Sequence, residues 1–286
     1  MRFVATLLMW LVTTALLAVA LPAAWAQVNV VDNDGYASIA QRAAADPALQ
    51  AAMAAELTTQ ISALSSNVDP LVVSRVARGY VAGSAFPDQF AQANRFAHNW
   101  LFTDSIRSSV DPQGRWVIDF APMLADSSFQ QTLSSYGVSV PSSMPIPLSD
   151  TASATLRPGV LKPVASWGPW LTIVVVLLAG ASAVLTLIVA GRKGKALAAL
   201  GVSALLVGGA GWGAIELVRD RADQMLSSMS GNLREISAVM VSSAEKSMHQ
   251  WLNVTLIVGV GLVVIGVIVT LLAGLAKSNP GQAPQG

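Results

Sequence analysis

The chain has 286 residues, 53% of them hydrophobic and only 12% charged, with a formal net charge of +1. Soluble domains carry about 25% charged residues, and the mean hydropathy here is +0.56. Long uncharged runs exclude a soluble enzyme and a disordered chain, near-zero net charge gives no basic field for nucleic acid, and the absence of cysteine excludes disulfides and thiolate chemistry.

Phe3–Ala26 opens the chain with an apolar run that contains no charged residue. About 20 such residues cross a bilayer as a helix, so residues 1–26 are expected to be a transmembrane anchor. The rival is a cleaved signal peptide: Ala24-Trp25-Ala26 has the small-x-small pattern of a cleavage site, and Pro22 is a helix breaker just before it. The run is longer than a usual signal core and its basic start is a single Arg2, which favours the anchor.

Residues 27–166 have ordinary polarity and enough length for one folded domain. Asp46-Pro47 and Asp69-Pro70 each put an N-cap acceptor before a proline at the first helical position. Leu49, Met53, Leu57, Ile61 and Leu64 then recur at helical spacing, as do Val73, Val76, Ala77 and Tyr80. A third helix is expected from near Pro87 to about Arg107, burying Phe90, Ala93, Ala97, Trp100 and Leu101. A fourth is expected over Pro122–Tyr136, with Gly137 at its C-terminal left-handed position. Arg115–Phe120 is a short strand candidate after the Asp111-Pro112-Gln113-Gly114 turn. Prolines 141, 145 and 147 confine Val138–Leu148 to an edge or to no strand at all.

Trp167–Ala190, Ala196–Ile215 and Trp251–Ala276 are three further uncharged runs of spanning length. Within residues 167–286 the connection 216–250 is too polar to span, yet Ala222, Met225, Leu226, Met229, Leu233, Ile236 and Met240 fall on one helical stripe. The third span is expected to continue outward to about Met229. After a turn at Ser230-Gly231-Asn232, a helix from Leu233 runs into the fourth span, and Asn232 with Glu235 resembles a capping box. The alternative is an amphipathic helix on the outer leaflet, disfavoured by its mixed charges. The stripe is broad enough to leave apolar surface against which residues 27–166 should dock.

The fold class is therefore a mainly α membrane protein with four transmembrane helices and a mostly helical extracytoplasmic domain carrying at most a small β-hairpin. Every carboxylate side chain lies in 27–166 (net −3) or 216–250 (net −1), whereas Arg2, Arg192, Lys193, Lys195 and Lys277 share the opposite side. Positive-inside bias places the basic side, with both termini, in the cytoplasm and the acidic segments outside the plasma membrane. Trp25, Trp167, Trp170 and Trp251 sit at the expected outer boundaries.

Three motifs carry a family resemblance: Leu21-Pro22-Ala23-Ala24-Trp25, Val31-Asp32-Asn33-Asp34-Gly35-Tyr36 and Ala45-Asp46-Pro47-Ala48-Leu49-Gln50. With Ala93-Asn94-Arg95-Phe96-Ala97-His98 and the Gly114-to-Asp119 segment, the chain resembles a group of uncharacterised actinobacterial, mycobacterial-type envelope membrane proteins. The resemblance implies an N-terminal anchor, an outer helical domain and C-terminal spans, and it implies no activity.

Chemistry is sparse. His98 and His249 have no second ligand at metal spacing, and the spans hold no central ionisable residue, as a coupled transporter requires. Glycines 208, 209, 211, 213, 259 and 261 lack the strand and lysine of a phosphate loop and suit helix packing. Asn94, Arg95 and His98 form the one compact polar group, either a partner contact or a polar network that orients the domain, the second being favoured. No catalytic, cofactor or metal residue is assigned. The expected role is a non-catalytic envelope membrane protein whose outer domain mediates protein interaction or assembly. The alternative is an accessory subunit of a lipid or solute transport system, and a membrane enzyme ranks last. The expected partners are the lipid bilayer and other envelope membrane proteins.

Overall fold

The computed structural model describes residues 2–64, 69–103, 108–110, 116–119, 121, 131, 145–147, 157–227 and 231–277. Among the described residues, eight α-helices run in the order α1 (Arg2–Ala26), α2 (Asn33–Ala43), α3 (Pro47–Leu64), α4 (Pro70–Val81), α5 (Phe86–Phe102), α6 (Lys162–Val189), α7 (Lys193–Ser227) and α8 (Asn232–Lys277). Helices α1, α6, α7 and α8 each contain a stretch long and apolar enough to cross a membrane, so the protein is a mainly helical, four-span membrane protein. Three short antiparallel strands, β1 (Ser108–Val110), β2 (Trp116–Asp119) and β3 (Pro145–Pro147), pair in that order with Val117 opposite both Ser109 and Pro147. The proline-rich strand lies at the edge, where missing N–H donors are tolerated. The helix expected over Pro122–Tyr136 lies outside the described residues.

Two compact units divide the chain. The first comprises Met1–Trp25, Trp170–Val218 and Met248–Gly286. In it α7 and α8 touch backbone to backbone. Gly194, Gly201 and Gly208 recur every seven residues and so share a face. A β-carbon at Gly201 would lie 2.7 Å from the Gly259 carbonyl oxygen, and one at Gly194 the same distance from the Gly266 oxygen. At Gly208 it would meet Leu256 at 2.7 Å. Lipid supplies no hydrophobic drive between helices, so such close packing is what holds them.

Helix α1 is joined to its neighbours by side-chain hydrogen bonds. The Trp10 indole donates to the Ala199 carbonyl at 2.8 Å, and the Thr14 and Ser203 hydroxyls lie 2.8 Å apart. Thr13 donates to the Met9 carbonyl and so accepts from Ser182, 2.7 Å away, with Thr186 at 3.3 Å. Thr13, Thr186 and Ser203 are fully buried. Bonds of this kind contribute about 0.6–2 kcal/mol each within a membrane. Pro22, a breaker in the cleaved-signal reading, lies inside α1 as the anchor reading requires, and the helix continues to Ala26 and then through a π-helical turn, Gln27–Val31. The missing proline N–H is tolerated in spans, where neighbouring groups re-satisfy the freed carbonyl.

The second unit comprises Ala26–Pro169 and Arg219–Ser247. Its helix starts follow the capping chemistry: Asp46 accepts from the Ala48 N–H and Asp69 from the Leu71 N–H, both at 2.9 Å. The core gathers Ala40, Ala43, Leu49, Ala54, Ala77, Val81, Phe86 and Phe90, together with Val239 of α8, and Met53, Leu57, Ile236 and Met240 pack against it. The arm formed by the start of α8 is thus part of the domain core. Asn232 points its amide at Glu56 (3.3 Å), and Arg219 pairs with Glu245 at 2.7 Å. Gly231, with φ +64°, makes the turn between α7 and α8. Leu233, expected on the same stripe as Ile236, is 55% exposed in the first turn of α8.

Three other positions depart from the periodicity. Val76 is 50% exposed because α4 turns Val73, Ala77 and Val81 inward. On α5, Ala97 is exposed while His98 is buried. Helix α2, whose Asp-Asn-Asp-Gly start has turn composition, forms because the Asp32 carboxylate caps the Gly35 N–H at 2.8 Å.

Two outcomes follow. Gly201→Leu should separate α7 from α8 and lower the detergent-extracted protein's melting temperature. Gly209→Leu, where a β-carbon would meet nothing within 4 Å, should leave it unchanged; equal effects would refute the backbone contact. Helix α1 should be retained in the mature protein, since its removal would break the Thr13–Ser182 and Thr14–Ser203 bonds, and a mature N-terminus at Gln27 would disprove this.

Candidate functional site

The polar residues of α5 meet the start of α2. The π-turn before α2 directs the Val30 carbonyl at α5, where the His98 Nε2 donates to it at 2.9 Å. A carbonyl can only accept, so this bond assigns the ring proton to Nε2 and leaves Nδ1 as an acceptor. Asn33 supplies the matching donor: its Nδ2 lies 3.3 Å from His98 Nδ1, 2.8 Å from Asn99 Oδ1 and 3.4 Å from the Arg95 carbonyl. The imidazole stacks on Phe102, with ring centroids 4.1 Å apart and planes inclined by 7°, and Tyr36 closes another side at 5.3 Å. Both ring nitrogens and both flanks of His98 are therefore occupied from within the domain.

Gly35 makes this geometry attainable. A β-carbon there would overlap the Val28 carbonyl oxygen, so the π-turn backbone rests directly on α2. Burial holds the Tyr36 phenol above its ordinary pKa and pushes Tyr80, in the core beside Phe86, up to about 12. Both phenols are accordingly neutral hydrogen-bonding groups at physiological pH.

Of the three residues singled out in the sequence, His98 is in this network by its ring and Arg95 by its backbone carbonyl. The Arg95 guanidinium turns to Asp34 at 2.9 Å. Asn94 is turned away, donating to the Phe90 carbonyl one turn back at 2.8 Å. The partners that sequence reasoning missed are Asn33, Asn99, Tyr36 and the Val30 carbonyl. Asn33, Tyr36 and the Val30 carbonyl stand 62 to 68 residues from their α5 contacts, and only Asn99, next to His98, lay within local reach.

Beside the network, α2 and α5 border an open cleft of about 280 Å³. Its floor is Ala37 and Ala91, and the Asp34–Arg95 and Gln41–Asp88 pairs bound it, the latter at 2.6 Å. Among the described residues no three His, Asp or Glu side chains group as a metal site. No protein-family model, no curated protein and no solved structure matches the chain.

Substitutions should rank these contacts. Asn33→Ala strands the His98 and Asn99 acceptors and should cost about 1–3 kcal/mol, and Gly35→Ala should cost more because backbone must move. Asp34→Ala removes an exposed ion pair and should cost less than about 1 kcal/mol. Chemical denaturation of the reconstituted protein measures all three, and an Asp34→Ala loss as large as that of Gly35→Ala would contradict the ranking.

Proposed function

We propose that the protein is a non-catalytic membrane protein of the cell envelope whose unit of residues 26–169 and 219–247 is a helical docking platform for another envelope protein. The observation that carries this reading is the outer face of α4. Leu71 is 72% exposed and Val72 and Val76 about half exposed, with Arg75 and Arg78 exposed among them. The solvent faces of α2 and α5 carry Asp34, Gln41 and Arg42 and Asp88, Gln92 and Arg95 instead. An apolar face rimmed by two arginines is the composition of a contact surface, and it calls for a partner with apolar side chains flanked by carboxylates. The closed polar network around His98 supports a positioning role for those residues, since a ring held at both nitrogens is poorly placed to shuttle protons.

The segregation of carboxylates supports an extracytoplasmic location for this unit, with both termini inside, and the resemblance to actinobacterial envelope proteins points the same way. A second reading, an accessory subunit of a lipid or solute transport system, is favoured by an apolar groove among the spans.

The natural lack of cysteine makes both parts testable. Single cysteines at Thr59 and Ser227 should react with an impermeant maleimide on intact cells and one at Gly191 should not; the reverse pattern would invert the topology. A photoreactive amino acid at Val72 should capture a discrete envelope protein, and Arg75→Glu with Arg78→Glu should abolish the adduct. Capture of lipid alone would refute the platform.

A further inference from the structure

Within the membrane unit, all four spans border an apolar groove of about 230 Å³. Ala20, Ala204 and Val207 form its floor, each less than a tenth exposed. Leu17 and Leu21 of α1 and Val176 of α6 flank it. The groove exists because short side chains at positions 20 and 204 leave space that leucine would fill. Its one hydroxyl, that of Thr255, donates to the Trp251 carbonyl at 2.9 Å, so the lining offers water a single acceptor, short of the two to four partners it needs.

An empty groove would cost its lining the dispersion contacts of one side. Water being excluded, the occupant must be hydrocarbon. A partner helix, about 10 Å across with its side chains, is too wide to enter a slot of this volume, whereas a single hydrocarbon chain is not. The spans that line the groove are themselves immersed in such chains.

We propose that this groove binds one acyl chain of a membrane phospholipid, which completes the packing of the four spans. The site takes the chain and not the head group, since it presents no charge and no free hydrogen-bond donor. The drive is packing, because the chain leaves one hydrocarbon environment for another. The site stands independently of the platform role proposed above.

The test uses the full chain in phosphatidylcholine nanodiscs doped with a phosphatidylcholine that carries a diazirine on its acyl chain. After irradiation, peptides containing Leu17–Ala24 and Ala204–Val207 should be labelled above the exposed Leu271–Leu275 segment. Ala204→Leu, which fills the floor, should bring that labelling down to the exposed-segment level, with Leu271→Ala as an unaffected control. If Ala204→Leu does not fold, Val176→Phe narrows the groove from its flank and should have the same effect. Uniform labelling along the spans, or labelling that survives the filling variants, would overturn the proposal. A single cysteine at Ala20 that oxidises to a disulfide-linked dimer in the nanodisc would overturn it in favour of a second copy.

Discussion

The Val28 carbonyl oxygen occupies the space that a β-carbon on residue 35 would fill. Glycine at that one position lets a π-helical turn lie flat on the start of α2, and the rest of the junction follows. The turn aims the Val30 carbonyl at His98, which fixes the ring tautomer; the tautomer makes Nδ1 an acceptor; the Asn33 amide then has an acceptor to donate to. Each step removes a freedom from the next. π-Turns are rare because they break regular helical bonding, and this one is sustained by what its displaced carbonyls reach. Asn29, also in the turn, is buried and meets the Ser247 hydroxyl at 3.2 Å. The Asp-Asn-Asp-Gly-Tyr motif is thus a set of distinct jobs: cap, amide donor, exposed ion pair, close approach and ring wall.

The membrane unit solves a different problem with similar means. Without water as a competitor or a hydrophobic drive, helix pairs depend on contact distance and on hydroxyls that stay local. The glycines of α7 supply distance. Thr13, Thr14, Ser182 and Ser203 supply bonds, and each of the two threonines also donates to a carbonyl of its own helix, so neither threonine is stranded if helices shift. A carboxylate in the same place would be far costlier to bury. The same fold therefore uses a neutral polar seam in its spans and an imidazole network in its domain.

What was readable in the chain was whatever physics makes local. Spanning length, the Asp46 and Asp69 caps, the turn at Gly231 and the apolar arm of Ile236 and Met240 all depend on residues within a few positions of one another. The expected strand over Arg115–Phe120 likewise appears as Trp116–Asp119. What escaped was set by pairing at long range. Helix α2 begins with residues that favour a turn, and the Asp32 cap together with packing on α5 makes it a helix. His98 stood out, but its partners lie on another helix and in a π-turn that no period announces. Pro22 does not end α1, because breaker rules describe helices in water, whereas inside a membrane a helix has no better alternative. Asn94 stood out for its neighbours, and one-turn back-bonding was enough to satisfy it.

Val76 carries the lesson furthest. Periodicity grouped it with Val73 and Ala77 because all three are apolar, and spacing alone could not tell which of two adjacent stripes faces the core. The structure chooses Val73, Ala77 and Val81. The helix is then apolar on both sides, since Leu71, Val72 and Val76 remain outside. A helix apolar all round is ordinarily a buried one. Arginines at 75 and 78 keep this face soluble without making it polar, in the way that long charged stems cover aliphatic surface. Such a face is stable alone yet gains more when covered, because the aliphatic groups leave water and each arginine can meet a carboxylate in a drier setting. The ambiguity that misled the periodicity is therefore the same physical fact on which the proposed platform role of α4 rests.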